Sequence, residues 1–341
     1  MKTINFETIQ AAIEEQNRKQ SYSGVISIFH QGKAVFNHAY GLANRSEQIP
    51  NRLNTRFGIA SGGKIFTATA VGLLVQAGKL SFDQPVIEFL AEEMPNLSEK
   101  VLVRHLLSHT SGVPDYFDES VMDDYEAFWL DKPVYTMVSA RDFLPFMADQ
   151  PMQFEPGAQF VYNNGAFVLA GLLVEKVSGQ IFQKFVEENV FGPAWMRSSG
   201  YYRTDQLPEH TASGYITEGE NWRSNIFAIP VIGHGDGGAY TTTADMNRFW
   251  MTLFGKRFFK EDILTEMLTP QIKVSEDGVF HYGLGCWIND LKESRFYYVM
   301  GEDPGVEFYS GYYPDFDLQI TLTANQNGPL WDMVKIIRDE I

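Results

Sequence analysis

Apolar residues recur at Phe6, Ile9, Ala12 and Ile13 in an otherwise charged segment, a helical period that predicts a covering helix over residues 6–19. Two β-rich runs follow, 24–29 and 34–40, separated by His30-Gln31-Gly32-Lys33, and predict a hairpin. From Ile65 to Gln76 nearly every residue is apolar or small, none is proline, and Gly78 follows as a stop. This predicts a buried helix whose first turn begins near Ser61. A second long apolar helix is expected from Ala166 to Val177, ended by Ser178-Gly179, with Tyr162 and Asn164 just ahead of it. Glycines dominate 233–239, and Thr241-Thr242-Thr243-Ala244-Asp245 supplies a cap for a helix running to Phe254. Near the end, 296–300, 306–310 and 318–324 predict strands, and 331–341 a closing helix. β-rich ends thus flank a helix-rich middle. The economical packing is α+β: one antiparallel sheet built from residues 1–60 and 285–341, terminal helices on one face, and a mainly helical subdomain, 61–284, inserted between them. A site is expected at the junction.

The pattern acquires chemistry at Ser61. Three-residue spacing places Ser61 and Lys64 on one helix face. A serine hydroxyl becomes a nucleophile when a base takes its proton, and a lysine held neutral by desolvation or a nearby cation is such a base. A helix N-terminus adds unpaired N–H groups that face a forming oxyanion. Gly62 and Gly63 leave room beside the hydroxyl. Ser-x-x-Lys by itself is a common pattern, so it gains force only from other residues. The stretch from Asp115 to Asp131 holds seven acids and five aromatics without a strong period. It reads as a solvated loop with satellite aromatics, the alternative being a pocket wall.

Composition narrows the partners. A chain of 341 residues, 44% hydrophobic, has enough apolar material for a large core and two subdomains. The net charge of −16 repels phosphate backbones and anionic membranes, so nucleic acid and membrane partners are not expected. Cys286 is the only cysteine, which excludes an intrachain disulfide framework and a cysteine-based zinc cluster. No His or carboxylate group has metal-ligand spacing, and no cofactor is expected. The first seven residues lack the apolar run of a secretory signal and nowhere do 18 apolar residues run together. A soluble, cytoplasmic protein is expected, or a secreted one had a leader been removed.

Five stretches in order resemble the serine β-lactamase and penicillin-binding-protein superfamily, in the class C-like branch that also holds DD-peptidases, D-aminopeptidases and esterases. They are Ala60-Ser61-Gly62-Gly63-Lys64 with Phe66-Thr67-Ala68; Arg104 to Gly112; Tyr162-Asn163-Asn164; Gly237-Gly238-Ala239-Tyr240 through Asp245; and Asp303-Pro304-Gly305. The resemblance covers essentially the whole chain. It implies a β-lactamase/transpeptidase-like fold, acylation of Ser61, and a proton shared by Lys64 and Tyr162. It also implies that Asn164 binds a substrate amide or positions Lys64, and that the N–H groups of Ser61 and of Glu302, on the edge strand beside Gly301, form the oxyanion hole. A phenol beside an ammonium has its ionised form favoured, so Tyr162 is suited to taking a proton from serine and returning it to a leaving group.

The third catalytic element departs from that pattern. Where the family has Lys or His, a small residue and Gly, this chain has Val299-Met300-Gly301. His281-Tyr282-Gly283 fits by letters, but Tyr282-Gly283-Leu284-Gly285 resembles a different strand of the family. A missing cation weakens binding of a substrate carboxylate, which disfavours penicillin or acyl-D-Ala-D-Ala hydrolysis. Glu302, Asp303 and the acidic stretch point instead to neutral or cationic substrates. His109 is read as structural rather than as a base for Ser61, and His234 as a loop residue. Two functions follow. The first is a serine hydrolase acting through an acyl-enzyme on a small ester, amide or peptide, with weak or absent β-lactamase activity. The second is a catalytically weak binding or sensing protein that has lost the third element.

Overall fold

In the computed structural model, which describes residues 4–119, 121–122, 124–219, 221–291 and 294–341, both chain ends build one sheet. Met1 to Thr3, the start of the stretch read for a leader, lie outside the described residues. We number the eight strands of this sheet in chain order: β1 Gly24–His30, β2 Lys33–Tyr40, β3 Ile272–Lys273, β4 Phe280–Tyr282, β5 Trp287–Leu291, β6 Ser294–Asp303, β7 Val306–Tyr313 and β8 Leu318–Ala324. Their spatial order is β2-β1-β8-β7-β6-β5-β4-β3, every pair antiparallel. Gly24 lies opposite Ala324, so a contact three hundred residues apart in sequence closes the sheet. β7 and β8 are buried along their whole length, which is why they lack polar–apolar alternation. The sheet also draws β3 and β4 from before residue 285. Strands of two and three residues leave no readable period.

Two helices cover one face. The first, α1 (Phe6–Lys19), is capped by Asn5, whose Oδ1 accepts from the N–H groups of Glu7 and Thr8 at 3.1 and 3.2 Å. Its Ile9 and Ile13 pack with Met333, Val334 and Ile337 of the closing helix, Leu330–Asp339, over Ile26, Ile28, Ile320 and Leu322 of the sheet. The opposite face carries the helical part. There α2 (Lys64–Gln76) is buried from Lys64 to Gly72 and α3 (Asn164–Ser178) from Asn164 to Val174. With no polar face to set their orientation, these helices are fixed by neighbours on all sides. The end of α2 is a Schellman turn: Gly78 has φ 67°, its N–H donates to Val75 O, and Lys79 N–H donates to Leu74 O. A third helix, α4 (Thr243–Phe254), starts at Thr242, whose Oγ1 accepts from Asp245 N–H at 3.1 Å. No single helix among the described residues is long and apolar enough to cross a membrane.

The glycine-rich run 233–239 threads between these helices. Gly235 crosses Gly171 of α3, and its carbonyl accepts from Thr67 Oγ1 of α2 at 2.6 Å. A Cβ on Gly235 would stand 2.2 Å from Phe167 O and 2.9 Å from the Gly171 backbone. Backbone cannot yield as a side-chain tip does. Gly235→Ala is therefore expected to lower unfolding free energy by about 1–3 kcal/mol, read as a lower denaturation midpoint in urea; an unchanged midpoint would contradict this packing.

Candidate active site

Ser61 sits in a single 3₁₀ turn, Ala60–Gly63, that runs directly into α2. Two backbones clamp the turn. On one side Ile59 N–H donates to Ala239 O at 3.0 Å and Gly238 N–H to Ala60 O at 3.2 Å. On the other, a Cβ on Gly301 would lie 2.3 Å from Ile59 O and 2.8 Å from Ser61 N, so only glycine lets β6 come this close to the serine. Ala60 pays for the geometry with a left-handed φ of 46°.

Lys64 is 2% exposed. Its Nζ donates to Ser61 Oγ at 2.8 Å, Asn164 Oδ1 at 2.7 Å and the Asp236 carbonyl at 2.7 Å, which uses all three ammonium protons. The Tyr162 ring lies 4.9 Å from Nζ, and its phenol interacts with the side chains of both Ser61 and Lys64. Ser61 and Lys64 are thus brought together with Tyr162 and Asn164, about a hundred residues away in the chain, and with the Asp236 carbonyl from a third segment.

Asn164 is held at both ends. Its Nδ2 donates to Glu119 Oε1 at 2.8 Å, so its oxygen must face Lys64. Its backbone N–H and that of Gly165 donate to Asp115 at 2.7 and 2.8 Å, while Asn163 Oδ1 accepts from Ala166 N–H at 2.6 Å. The free donors of the first turn of α3 are satisfied by these carboxylate and amide oxygens.

The acidic stretch therefore differs from the expected solvated loop. Asp115 and Glu119 reach the site, and Tyr116, Phe117 and Trp129 are buried at 4%, 2% and 4% exposure, making the stretch a wall. Ser120 and Asp123 of this stretch lie outside the described residues. An aperiodic pattern hid the wall because its aromatics pack on one another and on Phe143 and Phe146 rather than along one helix face. Asp236 was also missed. Its carbonyl holds Lys64 and its carboxylate accepts from Tyr116 Oη at 2.5 Å; a lone acid amid glycines was the only sign.

The placement of Glu302 corrects one expectation. β6 is an interior strand, flanked by β5 and β7, not an edge strand. Yet β5 pairs only as far as Tyr298, so 299–303 present an open side. Asp303 and Val306 flank the two-residue Pro304-Gly305 turn and pair across it. Alternation along the ladder then turns the N–H of Glu302 away from β7 toward that open side. Gly301 faces the Ser61 turn, and Val299, 3% exposed, is packed in the apolar core.

His109 is fully buried with φ 57° and accepts from Asn163 N–H through Nδ1 at 3.0 Å. Its ring packs 4.3 Å from that of Tyr162, and burial, reinforced by Lys64, holds it neutral. It makes no hydrogen bond to Ser61. His281 lies on β4, near Asp290 rather than Ser61, and His234 lines the deep cavity with its ring bonded to Gln183. No group of His, Cys, Asp and Glu among the described residues is arranged to hold a metal.

Two clefts meet at Ser61. A deep, narrow cavity runs past Tyr116, Tyr125, Tyr202, Ile232, Tyr240 and Asp303. A second, on the Tyr162 side, is walled by Trp287, Met300, Glu302 and Trp331, with Glu119 above. Burial lowers the affinity of Lys64 for its proton, but Tyr162, Asp236 and Glu119 more than offset this and raise its pKa. Burial, with Glu119, raises Tyr162 as well, against the opposing pull of Lys64 and Ser61.

Three carboxyls are raised too. Burial, with Asp236 next, pushes Asp303 up to about 8; burial pushes Asp115 and Glu307 up to about 7. Each binds its proton more tightly folded than unfolded, so the stability it contributes is present at low pH and lost as pH rises through the folded pKa. Unfolding midpoints are expected to fall as pH rises from about 4, where unfolded carboxyls titrate, through about 8, where the folded ones have lost their protons, and Asp303→Asn to reduce that fall. An undiminished fall in the variant, followed by calorimetry, would contradict the assignment.

Comparison with known proteins agrees with this architecture. A family description, Beta-lactamase, matches residues 9–339. The crystal structure of a penicillin-binding protein from Bacillus halodurans superposes with a TM-score of 0.91 at 42% identity, covering 99% of this chain and 100% of that one. Penicillin-binding protein 4* of Bacillus subtilis is 27% identical over 322 residues, 89% of this chain and 68% of that protein. Esterase EstB of Burkholderia gladioli is 31% identical over 217 residues, 61% of this chain and 54% of the esterase, so the match spans about half of that relative. With the match running nearly end to end and the Ser61–Lys64 turn at its centre, the chain belongs to the β-lactamase family, whose serine-hydrolase members include penicillin-binding-protein and esterase relatives.

Proposed function

We propose that this protein is a serine hydrolase that cleaves small esters, amides or peptides through an acyl-enzyme on Ser61. The observation that carries the proposal is the three-way grip on Lys64 Nζ. A neutral lysine amine has two N–H donors and one lone pair. Asn164 Oδ1, turned by Glu119, and the Asp236 carbonyl are acceptors only, so they take the two donors and leave the lone pair aimed at Ser61 Oγ.

The steps follow from that aim. The resting pair holds one proton too many, since Lys64 and Tyr162 both have raised pKa values. Once that proton has left, Ser61 Oγ bonds to the carbonyl carbon and passes its proton to the Lys64–Tyr162 pair. The oxyanion is received by the N–H groups of Ser61 and Glu302. The tetrahedral species then breaks its carbon–heteroatom bond, and Tyr162 returns the proton to the leaving oxygen or nitrogen. Water attacks the acyl-enzyme by the reverse proton route and releases the acid.

A second reading, a binding protein that acylates without turning over, is favoured by Val299, an apolar core residue where the family carries a cation. Turnover separates the two readings. With a p-nitrophenyl ester and a chromogenic cephalosporin, the native protein is expected to show a burst and then steady hydrolysis of the ester and little or none of the cephalosporin. Ser61→Ala should lose at least about a thousandfold in kcat/KM. A burst without turnover would favour the binding protein, and activity surviving in Ser61→Ala would overturn the nucleophile.

Glu119 shifts the pH range. Its negative charge stabilises the ammonium and opposes the phenolate, so it raises both pKa values. In Glu119→Gln, which keeps an acceptor for Asn164, both fall and the base form is populated at lower pH. The ascending limb of kcat/KM against pH should move toward acid; an unmoved limb would show that Glu119 does not act on the pair.

A further inference from the structure

The two clefts at Ser61 are not equivalent, and their difference bears on which half of a substrate each receives. This inference rests on the acyl-enzyme reading above. Tyr162 lines the cleft of Trp287, Met300 and Trp331 and is absent from the lining of the deep cavity, whereas Asn164 and Asp236 line the deep cavity. A proton donor must lie within hydrogen-bond reach of the atom that departs. The leaving group therefore occupies the tryptophan cleft and the acyl group the deep cavity.

The chemistry of the tryptophan cleft then limits what departs. No lysine, arginine or histidine is among the described residues lining it. Its walls are the indoles of Trp287 and Trp331, the thioether of Met300, and the carboxylates of Glu119 and Glu302. Glu302 is exposed and holds the Trp331 ring in place, its Oε2 accepting from Trp331 Nε1 at 3.3 Å, while its Oε1 accepts from Asn327 Nδ2 at 3.4 Å. The Trp287 ring is fixed by Tyr298, stacked at 6.1 Å, and by Tyr282, edge-on at 5.0 Å. Aromatic faces carry the negative lobe of the ring quadrupole and attract cations, and desolvation strengthens that attraction. The same faces and the two carboxylates repel an anion. Val299, buried in the apolar core, supplies no counter-charge.

We propose that the cleft between Trp287, Met300 and Trp331 is a leaving-group subsite for alkylammonium-bearing alcohols or amines, and that it discriminates against leaving groups that carry a carboxylate. Recognition of the cation rests on the indole faces, with Glu302 as the carboxylate at the rim. The departing atom itself sits under Tyr162, so the cationic end lies farther out, toward Trp331.

The test uses three esters of butyric acid that differ only in the alcohol: choline, its uncharged carbon isostere neohexyl alcohol, and glycolate. kcat/KM reports the steps through acylation, during which the alcohol is still attached. The expected order is choline, then neohexyl, then glycolate, with choline favoured over its isostere by about tenfold. Trp331→Leu and Glu302→Gln should each bring the choline-to-neohexyl ratio toward one; Glu302→Gln keeps the backbone N–H that faces the oxyanion. Equal rates for choline and neohexyl esters, a preference for glycolate, or a ratio that survives both substitutions would overturn the proposal. If native protein turns over none of the three, the p-nitrophenyl ester still decides the hydrolase reading, and the subsite is decided by binding: choline quenching of tryptophan fluorescence that is lost in Trp331→Leu supports it, and no quenching, or equal quenching by glycolate, overturns it.

Discussion

The structure depends on the burial of one ammonium group. Lys64 Nζ is almost sealed from water, and an unpaired charge there would cost several kcal/mol. The fold answers with one acceptor from each of three distant segments: the serine turn, the start of α3 and the glycine-rich run. Each acceptor is itself fixed. The serine turn is clamped by backbone on both sides, Asn164 is held by Asp115 and Glu119, and the Asp236 carbonyl is positioned by a loop that reaches it only because Gly235 and Gly237 have no side chains. Satisfying the charge and assembling the candidate catalytic groups are the same act of packing.

The sheet shares in that assembly. β6 approaches the serine through Gly301, and the premature end of β5 frees the side of β6 on which Glu302 presents its N–H. A ladder completed to Asp303 would consume that donor. The proposed oxyanion donor on Glu302 thus comes from an interruption in an otherwise regular sheet, and the Pro304-Gly305 turn sets which residues of β6 face outward.

The electrostatic character of the site is unusual for the resemblance that identified it. The position of the third-motif cation is an apolar core residue, and acids surround the nucleophile on the remaining sides: Glu119 above, Asp236 behind, Asp303 in the deep cavity and Glu302 at the rim. Tyr162, Asp236 and Glu119 raise the Lys64 pKa against the effect of its burial, burial and Glu119 raise that of Tyr162, and burial with Asp236 pushes Asp303 up to about 8. Lys64 is gripped by neutral oxygens while the acids stand farther out, so the proposed chemistry of acylation and the charge preference of the pocket are separable properties.

The sequence by itself determined the main elements and pointed to the candidate reacting groups. Helical periods, caps and stops located α1, α2, α3 and α4, and the β-rich runs located β1, β2, β6, β7 and β8 but not β5, because these features are set by neighbours within one helical turn or one hairpin. Ser61 and Lys64 were legible for the same reason, being one turn apart. Tyr162, Asn164, Gly301 and Glu302 became legible through the order of their motifs. What only the tertiary structure decided lies in contacts between segments that share no period: Glu119 meeting Asn164, the Asp236 carbonyl meeting Lys64, the acidic stretch becoming a wall, and β6 standing inside the sheet with one open side. A carboxylate has the same letter whether it faces water or a buried amide, and a strand the same pattern whether its neighbour runs alongside it or stops short. Only packing across the fold distinguishes them.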